Sequence, residues 1–192
     1  MRLASSVLVA FTVILTPFSM GQMQAPDSLA NNTVLIVRHA EKPAEGSGLT
    51  PAGVARAQQY VRYFEPFREN GMSLSIDALY AGADSEKSMR PRLTLEPLSR
   101  ATGMKLDSSI GTKEPEALVK LLRTQPHGAH PLISWRHEQI PALVKAFGGS
   151  ANLVPNGKWP DEVYDWVLVL TFDRAGKLQT QTLVHEHLSV QQ

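Results

Sequence analysis

The hydrophobic pattern changes period several times along the chain, and each change predicts an element. Val34-Leu35-Ile36-Val37 is continuous and mostly β-branched, as expected of a strand buried on both faces. In "LTPAGVARAQQYVRYF", Val54, Val61 and Phe64 fall at helical spacing, Thr50 can cap, and Pro51 takes a favoured first-turn position. "SIDALYAG" reads as a second strand ending in a turn. "RPRLTLEPLSRATG" is helical in character, but Pro97 predicts a break or kink, and Gly103 ends it. Pro115 opens a short helix with Ala117, Leu118, Leu121 and Leu122 on one side. "HPLISW" predicts a third strand. Ile140, Leu143, Val144 and Phe147 form the stripe of an amphipathic helix stopped by Gly148 and Gly149. "NLVPNGKWPDEVYD" predicts a loop, and "WVLVLTF" and "KLQTQTLVHEH" predict a hairpin turning at "DRAGK".

Strands alternating with helices predict an α/β fold, a three-layer sandwich with a mostly parallel central sheet. In such sheets ligands bind beyond the carboxyl ends of the strands. Three predicted strand ends carry polar chemistry there: Arg38 and His39, the segment from Tyr80 to Ser88, and Arg136 and His137.

The first residues follow a different rule. Arg2, an apolar stretch from Ala4 to Leu15, and small and polar residues up to Gly21 have the layout of a secretory signal peptide. The apolar stretch is shorter than the roughly 20 residues of a bilayer span, which favours cleavage over a membrane anchor. The expected organisation is a signal peptide over 1–21, a flexible lead-in over 22–32, and one catalytic domain over 33–192. The protein is then exported, periplasmic or secreted, with no stable membrane insertion after cleavage.

Composition narrows the chemistry. A chain of 192 residues suits one domain with a sizeable core, and a formal net charge of +1 gives no global field for nucleic acid. The absence of cysteine excludes disulfides, thiol catalysis and thiolate metal sites. Histidines and arginines gathered at strand ends point to phosphate. The arginine fork matches phosphate oxygens two at a time, and a neutral imidazole can attack phosphorus and hold the phosphoryl group.

The series "VRHAEKP", "LTPAGVARA", "SMRPRLTLEPL" and "ISWRHEQIPAL" resembles the histidine phosphatase superfamily, which includes phosphoglycerate mutases and acid phosphatases. The resemblance runs from Thr33 to about Asp173. It implies a phosphoglycerate mutase-like fold and a phosphatase that forms a phosphohistidine without metal or cofactor. Carried onto this chain, it makes His39 the nucleophile and has Arg38, Arg90 and His137 bind the phosphoryl group. Arg92 is the rival to Arg90 but lacks the threonine four residues on. The general acid has no clear match where many members place it. Some acid phosphatases carry an acidic residue directly after the second histidine, which makes Glu138 the candidate here, followed by Asp161 and Glu162. The implied substrate is a small phosphate ester or a phosphorylated side chain of a peptide.

Three other readings stay open. A metal hydrolase could use His39, His137 and Glu138, though it leaves the arginines without a role and lacks a metal-ligand spacing. An exported binding module of the same fold could hold a phosphorylated ligand without turnover. "HEHL", at 185–188, places two histidines on one strand face as a metal pair or as surface decoration.

Overall fold

A computed structural model describes residues 28–69 and 71–188. The predicted signal peptide lies outside the described residues. No helix among the described residues is long and apolar enough to cross a membrane.

The predicted first strand is β1 (Thr33–Arg38), and α1 (Pro51–Tyr63) follows it. Thr50 caps α1, its side chain accepting the Gly53 N–H at 3.1 Å. Two short strands, β2 (Phe67–Glu69) and β3 (Met72–Leu74), then form a hairpin that the pattern did not announce. With three residues each, they are too short to show alternation. Next come β4 (Ala78–Ala81), α2 (Arg90–Thr102), β5 (Leu106–Asp107) and α3 (Pro115–Arg123). β6 (Pro131–Trp135) leads through a single 3₁₀ turn into α4 (Ile140–Ala146). β7 (Trp166–Phe172) and β8 (Leu178–His185) form the predicted hairpin.

Six strands make one sheet in the order β5-β4-β6-β1-β7-β8. The first four run parallel, while β7 is antiparallel to both β1 and β8. The sheet is mostly parallel, with helices on both faces. Val34 and Ile36 of β1 join Leu118 and Leu122 of α3 and Leu143 of α4 in one cluster. Leu35 and Val37 join Tyr60 of α1 and Leu95 and Leu98 of α2 in the other. This two-sided burial is why β1 reads as a continuous apolar run.

Four local expectations differ from the structure. α1 buries Gly53, Arg56, Ala57 and Tyr60, while Val54 of the expected stripe is 50 % exposed and Val61 only partly buried. α2 continues unbroken through Pro97, which is itself buried, and stops at Gly103 in the left-handed conformation (φ 75°). Burial of the proline ring between helices offsets the one hydrogen bond it removes. α3 buries Leu118, Val119 and Leu122, while Ala117 faces outward. Residues 28–32 are docked rather than a flexible lead-in. Leu29 is fully buried, Ser28 donates its N–H to the Arg123 carbonyl, and Asn32 Oδ1 accepts from Ala129.

Candidate active site

β1 and β6 are parallel neighbours with Arg38 level with Trp135, so Arg38-His39 and Arg136-His137 leave the sheet side by side. The His39 N–H continues the ladder to the Trp135 carbonyl at 2.9 Å. The two imidazoles meet edge to face with their centroids 5.7 Å apart. His39 is 2 % and His137 3 % exposed, deep enough for desolvation to dominate their chemistry.

Hydrogen bonds fix the proton positions. His39 Nδ1 lies 2.8 Å from the Ala40 carbonyl, which can only accept, so Nδ1 carries the hydrogen. The Nε2 lone pair is then the free one. Burial pushes the His39 pKa down to about 3, helped by Arg38, His137 and Arg90. The imidazole is therefore neutral and nucleophilic across the physiological range. Arg38 Nη2 lies 3.3 Å from His137 Nδ1, and a guanidinium only donates, so His137 holds its hydrogen on Nε2 and gives it to Asp161 Oδ1 at 2.8 Å. Burial, then Arg38, lowers the His137 pKa, and Asp161 works against them.

Arg38 is 1 % exposed and bolts the structure together. Its Nη1 donates to the carbonyls of Pro160, Asp161 and Val163 at 2.8 to 3.0 Å. Its guanidinium carbon lies 3.8 Å from the centre of the Tyr164 ring, a cation–π contact. Its Nε is buried without a partner. Burial lowers its pKa to about 10, which leaves it cationic at neutral pH. Toward an anion it has its charge and the Nε–Nη2 edge, of which Nη2 is shared with His137.

No family model and no curated protein matches the sequence. Solved structures do match. The α-ribazole phosphatase of Shigella flexneri superposes with a TM-score of 0.53 at 12% identity, over 81% of this chain and 96% of that one. A mutant phosphoserine phosphatase of Entamoeba histolytica, in complex with phosphoserine, gives a TM-score of 0.53 at 10% identity over 79% and 96%. The protein histidine phosphatase SixA, complexed with tungstate, gives 0.50 at 17% identity over 78% and 96%. The chain has the histidine phosphatase fold.

Within that fold, the structure separates the competing residues. Arg90 opens α2, and its guanidinium donates to the Gly46 and Gly48 carbonyls at 2.7 and 3.1 Å. Its charge reaches His39. Arg92 is tied to Asp84 at 2.8 Å and to Glu96 at 3.6 Å. Thr94 shows why a threonine follows four residues after Arg90. Its hydroxyl donates to the Arg90 carbonyl and accepts the Ala40 N–H, both at 2.8 Å, and so links α2 to the residue beside His39.

The carboxylates divide in the same way. Glu138 is half exposed and paired with Arg136 at 2.8 Å. Asp161 touches His137. Glu162 is exposed, and its charge is felt by Arg38. The charge of Lys42 is felt by Asp161. His185 pairs with Asp165 at 2.8 Å, and β8 ends there, so His185 and His187 do not share a strand face. Among the described residues no three imidazole or carboxylate groups gather as a metal site.

Sequence reasoning missed Tyr164 and the carbonyls of 160–163. It also missed the ion cluster of Glu41, Arg56 and Glu186. A loop's carbonyls carry no sequence signal. Arg56 and Glu186 did leave one, as charges at positions that helix and strand periodicity turn inward.

Proposed function

We propose that the protein is a phosphomonoester hydrolase acting through a phosphohistidine on His39. The observation that carries this reading is the state of that side chain: neutral, with Nδ1–H engaged by Ala40 and Nε2 free, among the cations Arg38 and Arg90. Likeness of fold to SixA and to the α-ribazole and phosphoserine phosphatases supports it.

In the first step the Nε2 lone pair forms the N–P bond while the P–O bond to the alcohol breaks in line. The departing oxygen takes a proton from an acid. In the second step water attacks phosphorus and gives a proton back to the acid's conjugate base, the N–P bond breaks, phosphate leaves, and His39 regains its lone pair. Arg38 and Arg90 offset the charge on the phosphoryl oxygens in both steps. His137 links that centre to Asp161, the carboxylate best placed to serve as the acid. His137 holds the Asp161 carboxyl below the usual range, so it rests ionised. A phosphoryl dianion arriving beside it raises its pKa and favours loading the proton.

A cavity of about 490 Å³, lined by Ser85, Lys87, Ser88, Thr112, Lys113 and Arg136 among others, takes in Pro91 and Arg136, the chain neighbours of Arg90 and His137. It gives the alcohol part of a small phosphate ester, or a phosphorylated side chain, a place to lie among apolar and charged groups. The signal-peptide layout of residues 1–21 supports an exported enzyme.

Hydrolysis of p-nitrophenyl phosphate with and without chelator tests the reading. Turnover that survives chelation and disappears in His39→Ala is expected. Loss on chelation would indicate a metal hydrolase. Phosphate binding without turnover at any pH would indicate a binding module.

A further inference from the structure

The segment "HEH" at 185–187 carries a group that the proposed chemistry does not use. Glu186 follows directly on β8 and is 4 % exposed, the most buried carboxylate among the described residues. Its Oε1 contacts Arg56 Nη1 and accepts the Tyr60 hydroxyl at 3.1 Å. Its Oε2 is buried with no partner. An orphaned carboxylate oxygen is costly, so burial with this geometry calls for an explanation. Burial pushes the Glu186 carboxyl up to about 7, against the pull of Arg56.

The contacts beyond Arg56 supply one. Burial works to lower the Arg56 pKa, but its bonds to Glu41 and the charge of Glu186 hold it above the ordinary guanidinium range. Arg56 Nε and Nη2 grip the Glu41 carboxylate at 2.8 to 3.2 Å. Glu41 is also held through its carbonyl, which accepts the Thr50 N–H at 2.9 Å. Gly53 lies against the same backbone, where a Cβ would stand 2.5 Å from the Glu41 oxygen. The peptide group that joins Ala40 to Glu41 contains the carbonyl that takes the His39 Nδ1 hydrogen. Whatever fixes Glu41 therefore fixes the acceptor that selects the His39 tautomer. A second arm leaves Glu186 through its backbone. Its N–H donates to the Asp165 carbonyl at 2.7 Å, next to the Tyr164 that stacks on Arg38.

We propose that Glu186 is a positioning residue for the nucleophile: through Arg56 and Glu41 it fixes the Ala40–Glu41 peptide whose carbonyl orients the His39 imidazole. Its role in turnover rests on the phosphohistidine reading, but its effect on the His39 ring does not. The carboxylate acts at a distance and never meets the substrate.

The test uses Glu186→Gln and the milder Glu186→Asp, each measured well below its own melting temperature. Misplacement of about 1 Å can cost about 100-fold in rate, so Glu186→Gln should lower kcat for p-nitrophenyl phosphate about 10-fold with KM nearly unchanged. Glu186→Asp should recover part of the loss. Glu41→Gln should lower kcat likewise, and the double variant should be no slower than the slower single, because both act through Arg56. Nitrogen NMR of histidine-labelled protein should show His39 with Nδ1 protonated in the wild type and mixed tautomers in Glu186→Gln. That readout needs no substrate, so it stands even if the protein turns over no phosphate ester. Unchanged tautomers in the variant, or additive losses in the double variant, would overturn the proposal. If Glu186→Gln does not fold, Glu186→Asp and Glu41→Gln carry the same two comparisons.

Discussion

Asp161 Oδ1 accepts the Nε2–H of His137 at 2.8 Å, whereas Glu138, the very next residue after His137, turns outward to Arg136. Adjacency in sequence and adjacency in the site therefore point to different acids. The 3₁₀ turn over residues 137–139 is the cause: it buries His137 and leaves Glu138 exposed.

Leaving-group dependence distinguishes the two. p-Nitrophenolate departs without a proton, and an alkyl alkoxide does not. Asp161→Asn should slow an alkyl phosphate more than p-nitrophenyl phosphate, by a factor of roughly 10 or more, within the general-acid range. Glu138→Gln should slow both equally and slightly. The reverse pattern in steady-state rates would return the acid role to Glu138.

Thr94 joins α2 to Ala40, the residue after His39. Thr94→Val keeps the shape but leaves the buried Ala40 N–H without its acceptor. The expected loss of stability is about 1–3 kcal/mol, the usual cost of an unmet buried donor. Chemical denaturation measures it. A loss indistinguishable from zero would mean that Ala40 finds another partner.

Much of this was legible in the chain, and the reasons are physical. β1 and β6 read correctly because strands buried on both faces are continuously apolar. Their ends stood out because Arg38-His39 and Arg136-His137 interrupt that pattern abruptly, and the structure brings them side by side. The spacing from Arg90 to Thr94 is one helical turn, so the sequence carried the Thr94 link without revealing its purpose. β2 and β3 were not legible, since three residues carry no period. The contacts of Arg38 and Asp161 were only half legible. Arg38 looked like a phosphate fork, but three of its bonds go to backbone carbonyls of a loop more than 120 residues away in sequence. Such contacts depend on tertiary folding and on no side chain in the loop.

The buried His39 also sets a pH dependence of stability. Its folded pKa of about 3 lies below the unfolded value near 6.5, so the unfolded chain binds a proton that the folded one refuses. The group's contribution is complete above about pH 6.5 and is lost as pH falls toward 3. Glu186 works in the opposite sense, since its raised pKa favours the folded state as pH falls below about 7. Comparison with His39→Gln isolates the first effect. Relative to wild type, the variant should gain up to about 1.4 kcal/mol of stability per pH unit as pH falls from 6.5 to 4. Parallel stability curves, measured by denaturant titration across that range, would show that His39 protonates freely in the folded protein.

The most direct test is to find where the phosphoryl group goes. The protein is mixed with a phosphoryl-labelled monoester, quenched during turnover, and mapped by mass spectrometry. The account predicts an acid-labile, base-stable phosphoryl adduct on His39. It also predicts that His39→Ala forms no adduct and loses more than about 10-fold in kcat/KM, roughly 1.4 kcal/mol of transition-state stabilisation. A phosphoryl group trapped on another residue, or a His39→Ala variant that keeps more than about a tenth of the activity, would contradict it.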